Sequence, residues 1–353
     1  MPTLFPVFKQ LRKLLTAAGI FGHRCRQMLN AKRYQRQFIG FALVVIGFVA
    51  ACNGTSSNNS VRYTSANVQT DQLTRTVEHA MGTTQVPETP QRMITLGTFT
   101  TEALLAIDTP PIGAVARPEA YLKEQLQGTE SIGYRRPDLE KVLALQPDLI
   151  LGSTSLEEIY TQASQIAPTV LFEFDTSGDW KEIFASVGQA INRSERVEAV
   201  MDEYRDRLAT FKERMGDRLN QLEVSMVRVY PGYFELYQED IFAGTILLDA
   251  GLSRPPSQRG GQPVQRISKE QLHLADGDVI FLWTDGDNFE SKQDAQTAIK
   301  QLQADPLWSQ LEAVKQGNVY QVSGEHWIGS GPVAANLVVD DLFRYLLEEE
   351  DPS

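Results

Sequence analysis

Two stretches in which short apolar runs alternate with helix-period segments, separated by one long helical pattern, restrict this 353-residue chain more than any other feature. In the first stretch the candidate strands are Met93–Leu96, Ile112–Val115, Asp148–Gly152 and Thr169–Phe174, with helical segments at Thr101–Ile107, Tyr121–Leu126, Leu139–Leu145 and Leu156–Ile166. The second places strands near Val224–Tyr230, Asp278–Trp283 and Val319–Val322, and helices near Thr245–Ala250, Ala295–Gln303 and Pro332–Glu348. Strand–helix alternation of this kind builds a mainly parallel sheet with helices on its faces, so the expectation is α/β with two lobes. Between them Val197, Val200, Met201, Tyr204, Leu208, Phe211, Met215 and Leu219 recur at intervals of three and four. That spacing predicts a helix over 194–222, with Asn192 and Glu195 as its capping box. At 1.5 Å per residue it would be on the order of 40 Å long, enough to bridge both lobes.

Charge is distributed unevenly. Residues 1–51 carry eight basic side chains and no acidic one, and without them the net charge moves from −12 to −20. A basic stretch, Lys32 to Arg36, precedes the apolar run Phe38–Ala51, which is short of the roughly 20 residues a membrane span needs. Val49-Ala50-Ala51-Cys52 resembles the lipobox of bacterial lipoproteins, in which cleavage leaves a lipid-bearing Cys52. Residues 1–51 therefore read as a leader, with Met28 as an alternative start, and 52–72 as the lipidated cysteine and a Ser/Asn/Thr-rich tether. An uncleaved anchor would leave the same domain outside the membrane. The first lobe follows over 73–193 and the second over 223–353. Cys25 and Cys52 are the only cysteines, so the mature domain forms no disulfide. Its acidity excludes nucleic acid as a partner, because phosphates need clustered Lys and Arg.

Three further stretches carry a family resemblance. They are His79-Ala80-Met81-Gly82-Thr83 with Val86-Pro87 and Pro90-Gln91-Arg92; Pro137-Asp138-Leu139-Glu140 running into Pro147-Asp148-Leu149-Ile150-Leu151; and Trp327 with Ser330-Gly331-Pro332-Val333-Ala334-Ala335-Asn336. As a set they resemble the iron–siderophore and vitamin B12 class of periplasmic binding proteins that serve ATP-driven importers, over about Thr74 to Glu348. The resemblance implies two Rossmann-like lobes, a rigid interlobe helix, a ligand cleft between the lobes and little hinge closure. It also implies that Glu140 and Glu270 dock onto arginines of an ABC permease in the cytoplasmic membrane. Residue by residue, each stands at the start of a helix, where a carboxylate is favoured in any case.

In an open α/β sheet, ligands meet the loops at the carboxyl ends of the strands. That rule selects Phe99, Arg117, Tyr134, Arg135 and Arg136 in the first lobe. In the second it selects Tyr233 and Tyr237 in a loop beyond Val229, together with Arg259, Trp283 and Trp327. Arg135 matches the loop position that supplies a ligand-binding arginine in hydroxamate-siderophore binders, and Arg136 is its alternative. Guanidinium forks and aromatic faces suit a ferric siderophore, an anionic complex of hydroxamate or citrate type on a bulky body. Cobalamin or haem are the alternatives on the same fold. Iron would be held by the siderophore, so no protein metal ligands and no cofactor are expected, and the protein is expected to act as a monomer. Catalysis has little support: GxGxxG, P-loop and GxSxG patterns are missing, and Gly329-Ser330-Gly331 lacks the nucleophile-elbow spacing.

Overall fold

The computed structural model describes residues 73–115, 120–134, 136–284 and 289–347, with the side chains of 289–295 left aside. The leader, Cys52, the tether, Arg117 and Arg135 lie outside these residues.

The first lobe opens with a hairpin, β1 (Thr74–His79) and β2 (Gly82–Pro87), that the sequence reading did not anticipate. Its main sheet comprises β3 (Met93–Thr95), β4 (Gly113–Ala114), β5 (Glu130–Ser131), β6 (Leu149–Ser153) and β7 (Thr169–Phe172). The order is β5-β4-β3-β6-β7 and every neighbouring pair is parallel. Four helices accompany it: α1 (Thr98–Ala106), α2 (Leu139–Ala144), α3 (Tyr160–Ile166) and α4 (Trp180–Ala190). All five residues of β6 are buried, as a strand covered on both faces requires.

The long helix α5 (Ser194–Met215) buries Val197, Met201, Tyr204, Leu208, Phe211 and Met215 along one stripe. It is shorter than the expected 194–222 segment, because Gly216 turns out of the helix at φ 53° and a 3-10 turn covers Gly216–Gln221. At 22 residues it is about 33 Å long. The expected capping box is absent: Asn192 adopts φ 59° at the end of α4, and Arg193 occupies the N-cap without a side-chain bond.

In the second lobe β8 (Val224–Tyr230), β9 (Tyr233–Tyr237), β10 (Val264–Ile267), β11 (Val279–Thr284) and β12 (Val319–Gln321) form a sheet of order β10-β9-β8-β11-β12. β8, β11 and β12 are parallel, whereas β9 runs antiparallel to both β8 and β10. The helices are α6 (Phe242–Asp249), α7 (Phe289–Gln303), α8 (Glu312–Gln316), α9 (Gly324–Trp327) and α10 (Pro332–Leu346).

Side chains alternate across a strand, so each face of the second sheet enters a different core. Val227, Val229, Leu236, Ile280 and Leu282 pack on the outer side. Met226, Phe281 and Trp283 point the other way, into a cluster that continues through α10 and α5 to Met93, Leu149, Leu151 and Val170 of the first sheet. The lobes thus share one apolar core. Polar contacts reinforce it: Asp249 of α6 accepts from Lys181 of α4 at 2.6 Å and from the Tyr204 hydroxyl at 2.9 Å. Burial and the Asp249 charge push the Tyr204 phenol far above its ordinary range, which keeps it a donor.

Candidate ligand cleft

Loops leaving the carboxyl ends of the strands of both sheets meet one another. The Ala120 N–H, beyond β4, donates to Glu325 Oε2 beyond β12 at 2.8 Å, and the Tyr121 ring stands edge-on to His326 with centroids 6.5 Å apart. The Tyr121 hydroxyl donates to Glu102 at 2.8 Å. These contacts bring the carboxyl edge of the first sheet against that of the second.

On the second lobe this edge carries a cluster built by the β8–β9 hairpin. Its two-residue turn, Pro231-Gly232, needs a positive φ at the second position, and Gly232 supplies 87°. The turn sets the register Tyr230↔Tyr233 and Arg228↔Glu235, and β10 adds Arg266 opposite Glu235. By period-2 alternation Arg228, Tyr230, Tyr233, Glu235 and Arg266 share one face. The Tyr230 and Tyr233 rings stack 4.5 Å apart at 12°. The Arg228 guanidinium lies 4.8 Å from the Tyr230 ring centre, and that of Arg266 lies 3.8 Å from the Tyr233 ring centre. The result is a stacked ring pair in which each ring carries one guanidinium over it. Arg228 Nη1 also donates to the Tyr237 hydroxyl at 2.9 Å, and Arg266 pairs with Glu235 at 3.6 Å. A guanidinium held over a ring keeps its in-plane N–H groups for oxygen partners, here the Tyr237 hydroxyl for Arg228 and the Glu235 carboxylate for Arg266.

Several expected site residues are placed differently. Tyr233 and Tyr237 belong to strand β9, where a loop was expected. Tyr237 is buried, with its ring 4.9 Å from Trp283. Trp283 and Trp327 are fully buried, 6.0 Å apart, and the Trp327 indole donates to Asp341 at 2.7 Å. Both tryptophans support the cleft from beneath and do not line it. Arg259 stands at the opposite edge of the sheet, where it pairs at 2.5 Å with Glu223, the residue preceding β8. It also donates to the carbonyl of Arg254, whose guanidinium burial pushes down to about 9 against the pull of Glu239. In the first lobe Phe99 is buried and stacks on Phe174 at 5.5 Å. Tyr134 is 55 % exposed, and Arg136 is solvent-facing in a 3.0 Å pair with Glu158. The reading of the sequence missed Arg228 and Arg266. Their signal was the alternation Arg228-Val229-Tyr230 beside Tyr233-Phe234-Glu235, which marks a hairpin once Pro231-Gly232 is read as its turn.

Glu140 and Glu270 occupy matching places. Each is exposed and follows the edge strand that stands first in its sheet, β5 or β10. Asp138 caps α2 through the N–H groups of Glu140 and Lys141. Glu270 sits on a 3-10 turn, Lys269–Ala275, where the Ser268 hydroxyl donates to it at 2.7 Å and holds its carboxyl below the usual range.

His326 Nε2 lies 2.7 Å from Asp341 Oδ2. Among the described residues no group of three or more His, Cys, Asp or Glu could hold a metal ion, and no helix is long and apolar enough to cross a membrane. A separate cavity of about 580 Å³ between β1, β7 and α4 is bordered by Glu78, Glu173, Asp175, Asp179 and Glu182, a charge opposite to what an anionic solute needs.

Two α/β lobes with a shared core and a cleft at their carboxyl edges define a solute-binding protein. The chain belongs to the periplasmic binding protein family, whose profile matches residues 93–325. It is 34 % identical over 323 residues to the probable siderophore-binding lipoprotein YfiY of Bacillus subtilis, covering 87 % of this chain and 96 % of that one. To the Fe(3+) dicitrate-binding periplasmic protein FecB of Escherichia coli it is 26 % identical, covering 71 % of this chain and 83 % of that one. The crystal structure of Staphylococcus aureus SirA complexed with staphyloferrin B superposes with a TM-score of 0.68 at 27 % identity, covering 77 % of this chain and 98 % of that chain.

Proposed function

We propose that this protein captures a ferric siderophore outside the cytoplasmic membrane and delivers it to the permease of an ABC importer. The observation that carries the reading is the Arg228–Tyr230–Tyr233–Arg266 stack, which presents two guanidinium groups at the carboxyl edge of the second lobe. Fixed guanidinium edges beside aromatic faces favour an anionic ferric complex with carboxylate or hydroxamate oxygens over a neutral ligand. The relatives named for siderophore and ferric dicitrate binding support the same class of solute. Tyr134 and Arg136 close the site from the first lobe, and Arg117 and Arg135, outside the described residues, remain its candidates by sequence position. Glu140 and Glu270, one on each lobe at equivalent positions, are the groups offered to the permease. Cys52 carries the lipid that keeps the domain at the membrane, and the protein works as a monomer.

Trp283 lies 4.9 Å from Tyr237, which is bonded to Arg228, so an occupied cleft is coupled to a buried fluorophore. Titration with ferric citrate, a ferric dihydroxamate of the schizokinen type and a ferric tris-catecholate should give saturable tryptophan quenching with one of the first two and weaker binding of the catecholate. An absence of response to all three would overturn the siderophore assignment.

A further inference from the structure

The buried carboxyl group of Glu102 belongs to the first lobe but completes a helix of the second. Helix α10 begins with Gly331 at its N-cap, which has no side chain to accept from the first turn. A helix start leaves its first N–H groups without intrahelical partners, and a buried one is costly without an acceptor. Glu102 on α1 supplies it: Oε2 accepts from the Ala334 N–H at 2.9 Å, 232 residues away in sequence. The other oxygen accepts from the Tyr121 hydroxyl at 2.8 Å, and Glu102 is fully buried. The fit excludes any larger residue at the cap, because a Cβ on Gly331 would stand 2.6 Å from the Glu102 Cβ and 2.8 Å from Oε2. One carboxyl group therefore ties together α1, the Ala120–Leu122 turn and the start of α10. The turn in turn reaches Glu325 and His326 across the cleft.

We infer that Glu102 is a positioning residue, a helix cap supplied by the opposite lobe, that fixes the separation of the two cleft edges and thereby the lifetime of the bound solute. The effect on solute lifetime rests on the proposed binding function; the cap itself does not. An ordinary N-cap side chain steadies its own helix alone. A cap reaching from the other lobe makes the order of the first turn of α10 depend on the seating of the lobes. Glutamine keeps an oxygen for Ala334 and an amide that donates to the Tyr121 oxygen, whereas alanine removes the carboxyl group to which both Ala334 and Tyr121 are bonded.

The test uses the full chain and two readouts, hydrogen exchange in the first turn of α10 and in the Ala120–Leu122 turn, and the dissociation rate of ferric citrate followed by tryptophan fluorescence. Glu102→Ala should accelerate exchange in both segments about tenfold and dissociation about tenfold, the scale expected for one lost buried acceptor. Tyr121→Phe should reproduce part of the effect without disturbing α10 directly, and Glu102→Gln should restore wild-type behaviour. Leu302→Ala in the separate outer core serves as the control for general destabilisation, and it should leave exchange in the two segments and ligand dissociation unchanged. If Glu102→Ala does not fold, Tyr121→Phe and Glu102→Gln still decide: wild-type exchange in Tyr121→Phe, or accelerated exchange in Glu102→Gln, would overturn the inference. Should no ferric complex bind the wild-type chain, the siderophore reading fails, while the exchange data still report on the cap.

Discussion

The two lobes share a sheet order and differ in one strand direction. β5-β4-β3-β6-β7 is parallel throughout, whereas in β10-β9-β8-β11-β12 the strand at the second position is reversed. In the parallel lobe groups reach the carboxyl edge on separate crossovers, Phe99 after β3 and Tyr134 with Arg136 after β5. In the second lobe the reversed strand makes a hairpin, and register alone brings Tyr230 onto Tyr233 and lines up Arg228 with Arg266 across Glu235. A parallel edge offers scattered groups; a hairpin offers a packed cluster whose geometry is fixed before any ligand arrives.

Glu140 and Glu270, proposed here to meet the permease, mark where the lobes are most alike, so their removal should give the largest effect. The Glu140→Ala/Glu270→Ala double variant should lose nearly all uptake of ferric siderophore by cells while its binding in solution stays at the wild-type level. If either single variant alone removed all uptake, the lobes would not be equivalent in docking.

The arginines mark where the lobes differ most. Arg228→Ala should weaken binding about 30-fold or more, the scale of one desolvated charged contact, and Arg136→Ala only a few-fold because that side chain is solvent-facing. Titration of both variants, with circular dichroism as the folding check, decides between them. Equal losses would erase the distinction between hairpin and crossover edges.

The smallest effect belongs to the hairpin that only the first lobe has. His79 Nδ1 accepts from the Leu171 N–H at 3.3 Å, and Nε2 meets the Thr84 hydroxyl at 2.8 Å, which joins β1 and β2 to β7 as a neutral ring. Burial pushes its pKa below 6.5. The unfolded chain therefore takes up the proton first. Stability is full above pH 6.5 and declines as the pH falls from there to the lower folded pKa, below which this contribution is constant. For a partly exposed ring the loss should stay below about 1 kcal/mol. Thermal unfolding measured between pH 7 and pH 5 should show this slope, and His79→Gln should flatten it; an unchanged slope would assign it to other groups.

Much of this architecture is readable from residue order. The strands around Met93, Leu149, Val170, Val224, Val279 and Val319 and the buried stripe of α5 follow from periods of two and 3.6, which are properties of neighbouring residues. Asp138 and Pro332 mark helix starts by local chemistry in the same way. The short strand β5 and the charged edge strand β10 have too few apolar residues to announce themselves, and they appear only because a neighbouring strand gives their backbone partners. The hairpin was hidden by its tyrosines, which read equally well as loop aromatics. Which arginines reach the cleft was decided by tertiary structure as well: Arg228 and Arg266 are 38 positions apart in the chain and meet the same pair of rings because strand register places them there.

The sequence by itself determined two α/β lobes, the helix between them and an acidic glutamate at the same step of each. Tertiary structure alone decided the guanidinium–tyrosine stack and the capping of α10 by Glu102. The physical reason is range. Propensity, periodicity and caps act over a few residues, whereas a stack or a cap across the interlobe boundary exists only when a shared apolar core has already brought distant segments to within hydrogen-bond distance.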